Sequence, residues 1–243
     1  MTIGGVGSSI SGISSAVFRQ DVTANNVANL NTTAFKVSRV HSLEIVAAGR
    51  GAGAKSDAVT RFSSPGSMEF TSRALDIAIA GEGFFKLSEK SGGAVYTRSG
   101  NFSVDGDGNI VNENGLKLEP NVQVPSQAKN VTVNNQGQIR AILPGSTEET
   151  VVGEIKPVRF SNPAGLEALG GNLFSETANS GSPVEGSVGA GGIELRPSFL
   201  EMSNVDLAEQ FTQSIINSRS MEANVKAFRV QDRMAGTVLD LVR

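Results

Sequence analysis

Asp105, Asp107 and Asn109 carry side-chain oxygens at alternate positions, the spacing with which a calcium loop begins. A helix-flanked calcium loop would continue with Gly at 110 and a carboxylate at 116. The chain has Ile110 and Leu116 there, and its flanks read as strands. These oxygens therefore read as turn chemistry, and no metal site is expected. Glu148 and Glu149 could do acid–base work only if two carboxylates converged in a cleft. Beside Pro144 and Gly145 they read as a solvated loop. His41 is the single histidine, cysteine is absent, and no G-x-S-x-G elbow surrounds a serine. That composition excludes disulfides, thiol nucleophiles, Cys-based metal sites and a two-histidine relay. The run Gly49-Arg50-Gly51-Ala52-Gly53-Ala54 lacks the GK[ST] ending of a phosphate loop and reads as a flexible hinge. Asn31-Thr32-Thr33 matches the glycosylation acceptor pattern without a supporting context. Together these residues give no catalytic set and no cofactor site, and the chain reads as a non-enzyme.

The whole composition excludes further classes. Lys and Arg number 21 against 24 Asp and Glu, so there is no basic footprint for nucleic acid. No run of about 18 apolar residues is present, so no membrane insertion is expected. The start MTIGGVGSSISG lacks the basic and apolar regions of a cleaved secretory signal. A length of 243 residues suits one or two domains.

Two helical segments must frame whatever lies between them. In residues 1–31, Ile3, Ile10, Val17 and Ala24 recur every seven positions, and Val6, Ile13 and Val27 follow a second row. That is the pattern of a coiled-coil seam, interrupted at Gln20 and Asn31. The remaining Ser, Gly, Asn and Thr are poor helix formers, so this helix is marginal alone. In residues 203–243, Leu207, Met221 and Phe228 form one row and Phe211, Val225 and Leu239 its companion. Ile216, Ala223, Ala227, Val230, Met234, Val238 and Leu241 form another, on a nearly opposite face. Val242 ends the first row, and Ser203 with Asp206 reads as a capping pair. A helix apolar on two faces must be covered on two faces, and one partner helix covers only one. Assembly with other copies is the expectation, and these apolar rows are its interface.

The middle reads as short strands. Leu75–Ile79 alternates, Gly81-Glu82-Gly83 breaks it, and Phe84-Phe85-Lys86-Leu87 starts the next strand. Residues 104–110 and 133–139 echo one another as two hairpins of one design. The expected fold is α+β: terminal helices paired as a coiled-coil-like stalk, with a β-rich domain inserted. Residues 1–31 with 203–243 make a discontinuous helical core. Residues 32–70 form an extended connector, 71–198 the β-rich outer domain, and 199–202 a return linker.

Five blocks in order carry a family resemblance. The run Asp21–Lys36, with Asn25, Asn26, Asn29, Asn31, Thr32, Phe35 and Lys36, resembles the N-terminal signature of flagellar basal-body rod and hook proteins. Leu200–Leu207, with Ser203, Asn204 and Val205, resembles the start of their C-terminal helix. Leu75–Phe85 and Tyr96–Phe102 look like the family's middle domain. Phe160–Leu166 through Asn172–Phe174 is most similar to the distal-rod branch, while Thr71–Asp76 looks more like the proximal rod. Ala34 stands where the family often has Gly, which argues against a left-handed backbone there. Arg219-Ser220-Met221-Glu222 also departs from the commoner Ala-Tyr before the Glu.

The resemblance implies a structural subunit of the basal-body rod, polymerising with itself into a helical drive shaft from motor to hook. It implies export through the flagellar type III apparatus without a cleaved signal, and residence in the periplasmic rod. The implied partners are other rod and hook proteins, the export apparatus and the bushing rings around the rod. Terminal segments are expected to order on assembly, and the connector Thr32–Pro65 is the candidate for setting stiffness. A proximal-rod or hook-type subunit is the alternative reading. A secreted β-rich adhesin, which would not explain the terminal heptads, ranks behind both.

Overall fold

The computed structural model describes residues 4–47, 50–62, 64–89, 92–125, 128–143, 148–186, 188 and 192–241. Two helices bracket a β-rich middle, an α+β arrangement. Helix α1 spans Gly4–Ala28 and α2 spans Leu207–Leu241. The chain divides into two compact units. The first holds Met1–Leu30, Val37–Phe62 and Val205–Arg243; the second holds Asn31–Lys36 and Ser63–Asn204. The backbone therefore crosses between units four times.

In the first unit, the segment expected to be an extended connector is a long antiparallel hairpin, β1 (Ser38–Ala47) with β2 (Arg50–Arg61). The expected hinge is strand: Arg50–Ala54 lies in β2, and Gly49 lies outside the described residues. Val40, Leu43, Ile45, Val46 and Val59 supply strand propensity. The glycines serve close approach to α1. A Cβ on Gly53 would sit 2.0 Å from Ser11 Oγ, and the neighbouring Ala54 N–H donates to that oxygen at 3.2 Å. Ser15 Oγ lies 3.3 Å from Ser42 Oγ and 2.8 Å from Ser56 Oγ. The small, polar residues that looked like a loop are the side chains that fit a hairpin against a helix.

Helix α1 ends at Ala28, short of the expected 31. Helix α2 begins at Leu207, four residues after the expected start, and Asp206 caps it. The Asp206 Oδ1 accepts from the N–H groups of Ala208 and Glu209 at 2.8 and 3.2 Å, satisfying donors that a helix start leaves open.

The second unit carries β3 (Met68–Phe70), β4 (Ile77–Ala80), β5 (Phe85–Ser88), β6 (Ala94–Thr97), β7 (Ser103–Val104), β8 (Ile110–Val111) and β9 (Lys117–Leu118). It continues with β10 (Lys129–Val133), β11 (Gln138–Ile142), β12 (Glu149–Glu154), β13 (Val158–Arg159), β14 (Glu167–Gly170) and β15 (Leu173–Ser175). Strands β16 (Val184–Glu185), β17 (Glu194–Pro197) and β18 (Phe199–Glu201) complete it. The order β14-β15-β6-β5-β9-β8-β7 forms one antiparallel sheet, and β10-β11-β12 forms another. Ribbons β13–β16, β17–β4 and β18–β3 close the unit. The expected return linker is β18, held in register by Phe199 opposite Phe70 and Glu201 opposite Met68. The core is apolar: Ile79, Phe85, Leu87, Phe102, Ile139 and Ile193 are wholly buried. A second cluster packs Phe84, Tyr96, Val158, Phe160 and Leu166, with Tyr96 edge-on to Phe160 at 4.8 Å.

The hairpin echo is real and occurs three times. Asp105 Oδ1 accepts from the amides of Asp107 and Asn109, Asn112 Oδ1 from those of Asn114 and Leu116, and Asn134 Oδ1 from those of Gln136 and Gln138. The Asn109 side-chain amide, which donates to both Asp105 carboxylate oxygens, with the Asn109 and Asp107 backbone amides behind it, holds the half-buried Asp105 carboxyl below the usual carboxylate range. Each turn ends on a left-handed glycine three residues on: Gly108 at φ 82°, Gly115 at 73° and Gly137 at 80°. Gly108→Ala should cost about 2 kcal/mol or more, because it adds left-handed strain to a Cβ placed 2.1 Å from Val124 O. Gly106→Ala, with open space around its Cβ, should be close to neutral. Thermal melts of the two variants check this contrast.

Candidate functional site: a buried ion cluster and a polar helix seam

In the second unit, charge is concentrated on one buried carboxylate. Glu201, on β18, is 1 % exposed. Its Oε2 accepts from Arg98 Nε at 2.6 Å. Its Oε1 accepts from Lys36 Nζ and, at 2.9 Å, from the Gly66 N–H. Arg98 and Lys36 are themselves buried. Lys36 also donates to Ser64 O at 2.8 Å. Arg98 donates onward to the carbonyls of Gly83, Ile79 and Gly81 at 2.7, 3.1 and 2.6 Å. Burial would push the Glu201 carboxyl up, but the Arg98 and Lys36 charges outweigh it and hold it below the usual range. Burial pushes the Lys36 ammonium down, against the pull of Glu201.

The backbone around this cluster is tied as well. Ala34 N–H donates to Glu201 O at 2.7 Å, Asn204 N–H to Phe35 O at 3.3 Å, and Met202 N–H to Ser67 O at 2.8 Å. Asn204 Nδ2 reaches Ser64 O at 3.0 Å. Ala34 adopts φ 58°, so the left-handed backbone is present despite the missing glycine. The bond to Glu201 O and the burial of Ala34 offset a strain of roughly 1–2 kcal/mol. Of the signature residues, Lys36 and Asn204 thus sit in this network, Phe35 and Thr32 are half-buried beside it, and Asn31 is exposed.

In the first unit, α1 and α2 pack antiparallel, but not on the apolar rows. The seam is polar. Gln210, Asn217, Asn224 and Gln231 recur every seven residues on α2. Asn26 Nδ2 donates to Gln210 Oε1 at 3.0 Å, and Asn26 also pairs with both backbone groups of Ser38. Gln20 Nε2 donates to Ser214 Oγ at 2.9 Å. Asn217 meets Arg19 Nε at 3.3 Å and Thr23 Oγ1 at 3.3 Å. A Cβ on Gly12 would lie 2.6 Å from Asn224 Oδ1, and Ser9 Oγ reaches Gln231 at 3.4 Å. Of the remaining signature residues, Asn29 bonds Asn25 O, Asn25 is exposed, Val205 is buried and Ser203 half-buried.

Many side chains of the apolar rows are exposed in the single chain, those of the row through Ile216 as well as those expected to pair with α1. Ile10 is 52 % exposed and Val17 43 %, and Leu207, Phe211, Ile216, Met221, Val230 and Met234 are also exposed. Val6, Ile13, Val27, Val225 and Phe228 are half-buried. Ile3 and Val242 lie outside the described residues, and Val238, Leu239 and Leu241 outside those whose side chains are described. The amide heptad at Gln210–Gln231 has the same period as the apolar rows and carries the hydrogen bonds between the helices. Arg98 and Glu201 were present in the quoted motifs, but nothing in a linear sequence says they meet.

Residues 8–36 match the model for flagella basal body rod proteins. Residues 78–141 match the flagellar hook protein FlgE/F/G D1 domain, and 196–241 the flagellar basal body rod FlgEFG C-terminal domain. The chain is 35 % identical to the flagellar basal-body rod protein FlgG of Borreliella burgdorferi over 96 % of each chain. It is 34 % identical to that of Bacillus subtilis over 97 % of this chain and 98 % of the relative. The flagellar hook protein FlgE of Escherichia coli matches at 33 % over 52 % of this chain and 34 % of its own length.

Glu201→Gln leaves two buried cations without their anion and should cost about 3–5 kcal/mol. Lys36→Met leaves Arg98 and Glu201 paired and should cost less. Denaturant unfolding followed by fluorescence of Tyr96, the single tyrosine, measures both. Because the folded pKa of Glu201 lies below its unfolded value, its contribution is complete above about pH 4.3 and is lost as pH falls through the folded value. Acid unfolding of the wild type should therefore be steeper than that of Glu201→Gln.

Proposed function

The chain belongs to the flagellar basal-body rod protein family and is a structural subunit of that rod; we propose that its place is the distal segment, where it polymerises into the helical shaft joining motor to hook. The role is mechanical, not catalytic. Near-complete two-way coverage with the FlgG relatives supports a rod place over a hook place, since the hook relative is matched over only a third of its length. The distal-rod character of Phe160–Phe174 supports distal over proximal.

The observation that carries the polymer reading is the inverted polarity of the helix pair. A self-sufficient helical hairpin buries its apolar stripes between the helices. Here the inner seam is amides, hydroxyls and glycine, and the apolar rows lie outside. Seam hydrogen bonds contribute roughly 0.5–1.5 kcal/mol each. Full burial of a Phe, Ile or Val contributes roughly 1.5–3 kcal/mol more. The favourable term is thus collected only when neighbours cover the outer rows. Other copies, and rod and hook proteins above and below, are the partners with matching helices. An open-ended series of such heterologous contacts grows as a helix. The hairpin β1–β2, packed on α1, is the candidate for setting shaft stiffness. We assign the subunit to the periplasmic rod, reached through the type III export apparatus and enclosed by the bushing rings.

Phe211→Asp and Ile216→Asp place charges on the outer rows while leaving the seam intact. Each should abolish rod growth and motility when it is the only copy, with the second unit still folded by Tyr96 fluorescence. Normal rods in both strains would overturn the reading.

A further inference from the structure

We propose that the amide ladder between α1 and α2 is a register code that fixes their axial alignment. Both sides step by seven. On α2 the row is Gln210, Asn217 and Asn224; the facing row on α1 is Asn26, Arg19 and Gly12. The α2 side nearly repeats itself, so a slip by one heptad would bring amides back to amide positions. The α1 side does not repeat: it falls from an amide to an arginine to a glycine. Asn224 fits only where α1 has no Cβ, since a methyl on Gly12 would already reach 2.6 Å from its Oδ1. A one-heptad slip sets Asn224 against Arg19, and Asn217 against Asn26. The first has no room and the second loses its bonds to Arg19 and Thr23.

Apolar seams tolerate sliding, because dispersion contacts are non-directional. Buried amides do not, because each misaligned pair leaves donors and acceptors unsatisfied. The consequence, which rests on the polymer reading, is that the seam acts through the outer rows as a positioning device. It sets the height of Ile10 and Val17 on α1 against Phe211 and Val230 on α2, so each copy presents one composite surface to its neighbours.

The absence of cysteine makes the test direct. Full-length chain carrying Ser9→Cys with Gln231→Cys, or Ala16→Cys with Gln231→Cys, replaces the wild type, and basal bodies are isolated and oxidised. The native seam should give an intrachain disulfide for the first pair and little for the second. Adding Gln210→Leu and Asn217→Leu should shift product toward the second pair and lower motility. Unchanged in-register product in that variant would overturn the register code. A shifted product with full motility would overturn its link to assembly. A second variant guards against a chain that fails to fold: Gly12→Asn alone should lose motility, and Gly12→Asn with Asn224→Gly should recover it. Full motility of Gly12→Asn alone, with the native cross-link, would also overturn the code. Failure of the rod reading itself would look different: the native-seam chain would be missing from basal bodies.

Discussion

The carboxylate of Glu201 is the point on which the β-rich unit depends. The backbone enters or leaves that unit between residues 30 and 31, 36 and 37, 62 and 63, and 204 and 205. Glu201 holds Lys36 at the second crossing, Gly66 just beyond the third, and lies three residues before the fourth. Arg98 then ties the same carboxylate to the Ile79–Gly83 turn. A buried charge is costly unless it is paired and fully hydrogen-bonded. Each partner here is therefore held in place by the penalty for losing it. Three segments far apart in sequence are gathered by one charge, and any load that enters by one crossing meets a joint shared with the others.

The helical unit follows a different rule. It puts hydrogen bonds inside and apolar side chains outside, the reverse of a chain built to stand alone. The poor helix formers of α1 belong to the same design: Ser9, Ser11, Gly12, Ser15 and Thr23 are small or polar because α2 and the hairpin approach closely there. A seam of directional bonds gives alignment at little net stability, and the outer rows give stability only in company. Alignment and adhesion are thus assigned to different faces of the same two helices.

The α+β class, the two terminal helices and the repeated turn were readable from periodicity and from Asx–Gly spacing. The third copy of the turn, at Asn112–Leu116, keeps the same offsets and differed only in side-chain identity. The hairpin β1–β2 was hidden because its glycines read as flexibility, while their use is close packing on α1. The seam was hidden because the amide heptad shares its period with the apolar rows, and only the apolar rows register as hydrophobic periodicity. In a polymer subunit the apolar period belongs to chains that a single sequence does not display. The ion cluster was hidden for a simpler reason: Lys36, Arg98 and Glu201 are brought together by strand pairing over long separations, most directly by β18 on β3.

The central claim is that the outer apolar rows are covered in the rod and open in the single chain. Single cysteines at Ile216 and Met234, the chain's only thiols, report this through maleimide labelling of purified monomer and of isolated basal bodies. The account predicts rapid labelling in the monomer and protection at both positions in the rod. Equal labelling in the two states would show that these rows face water in the assembled shaft and would contradict it.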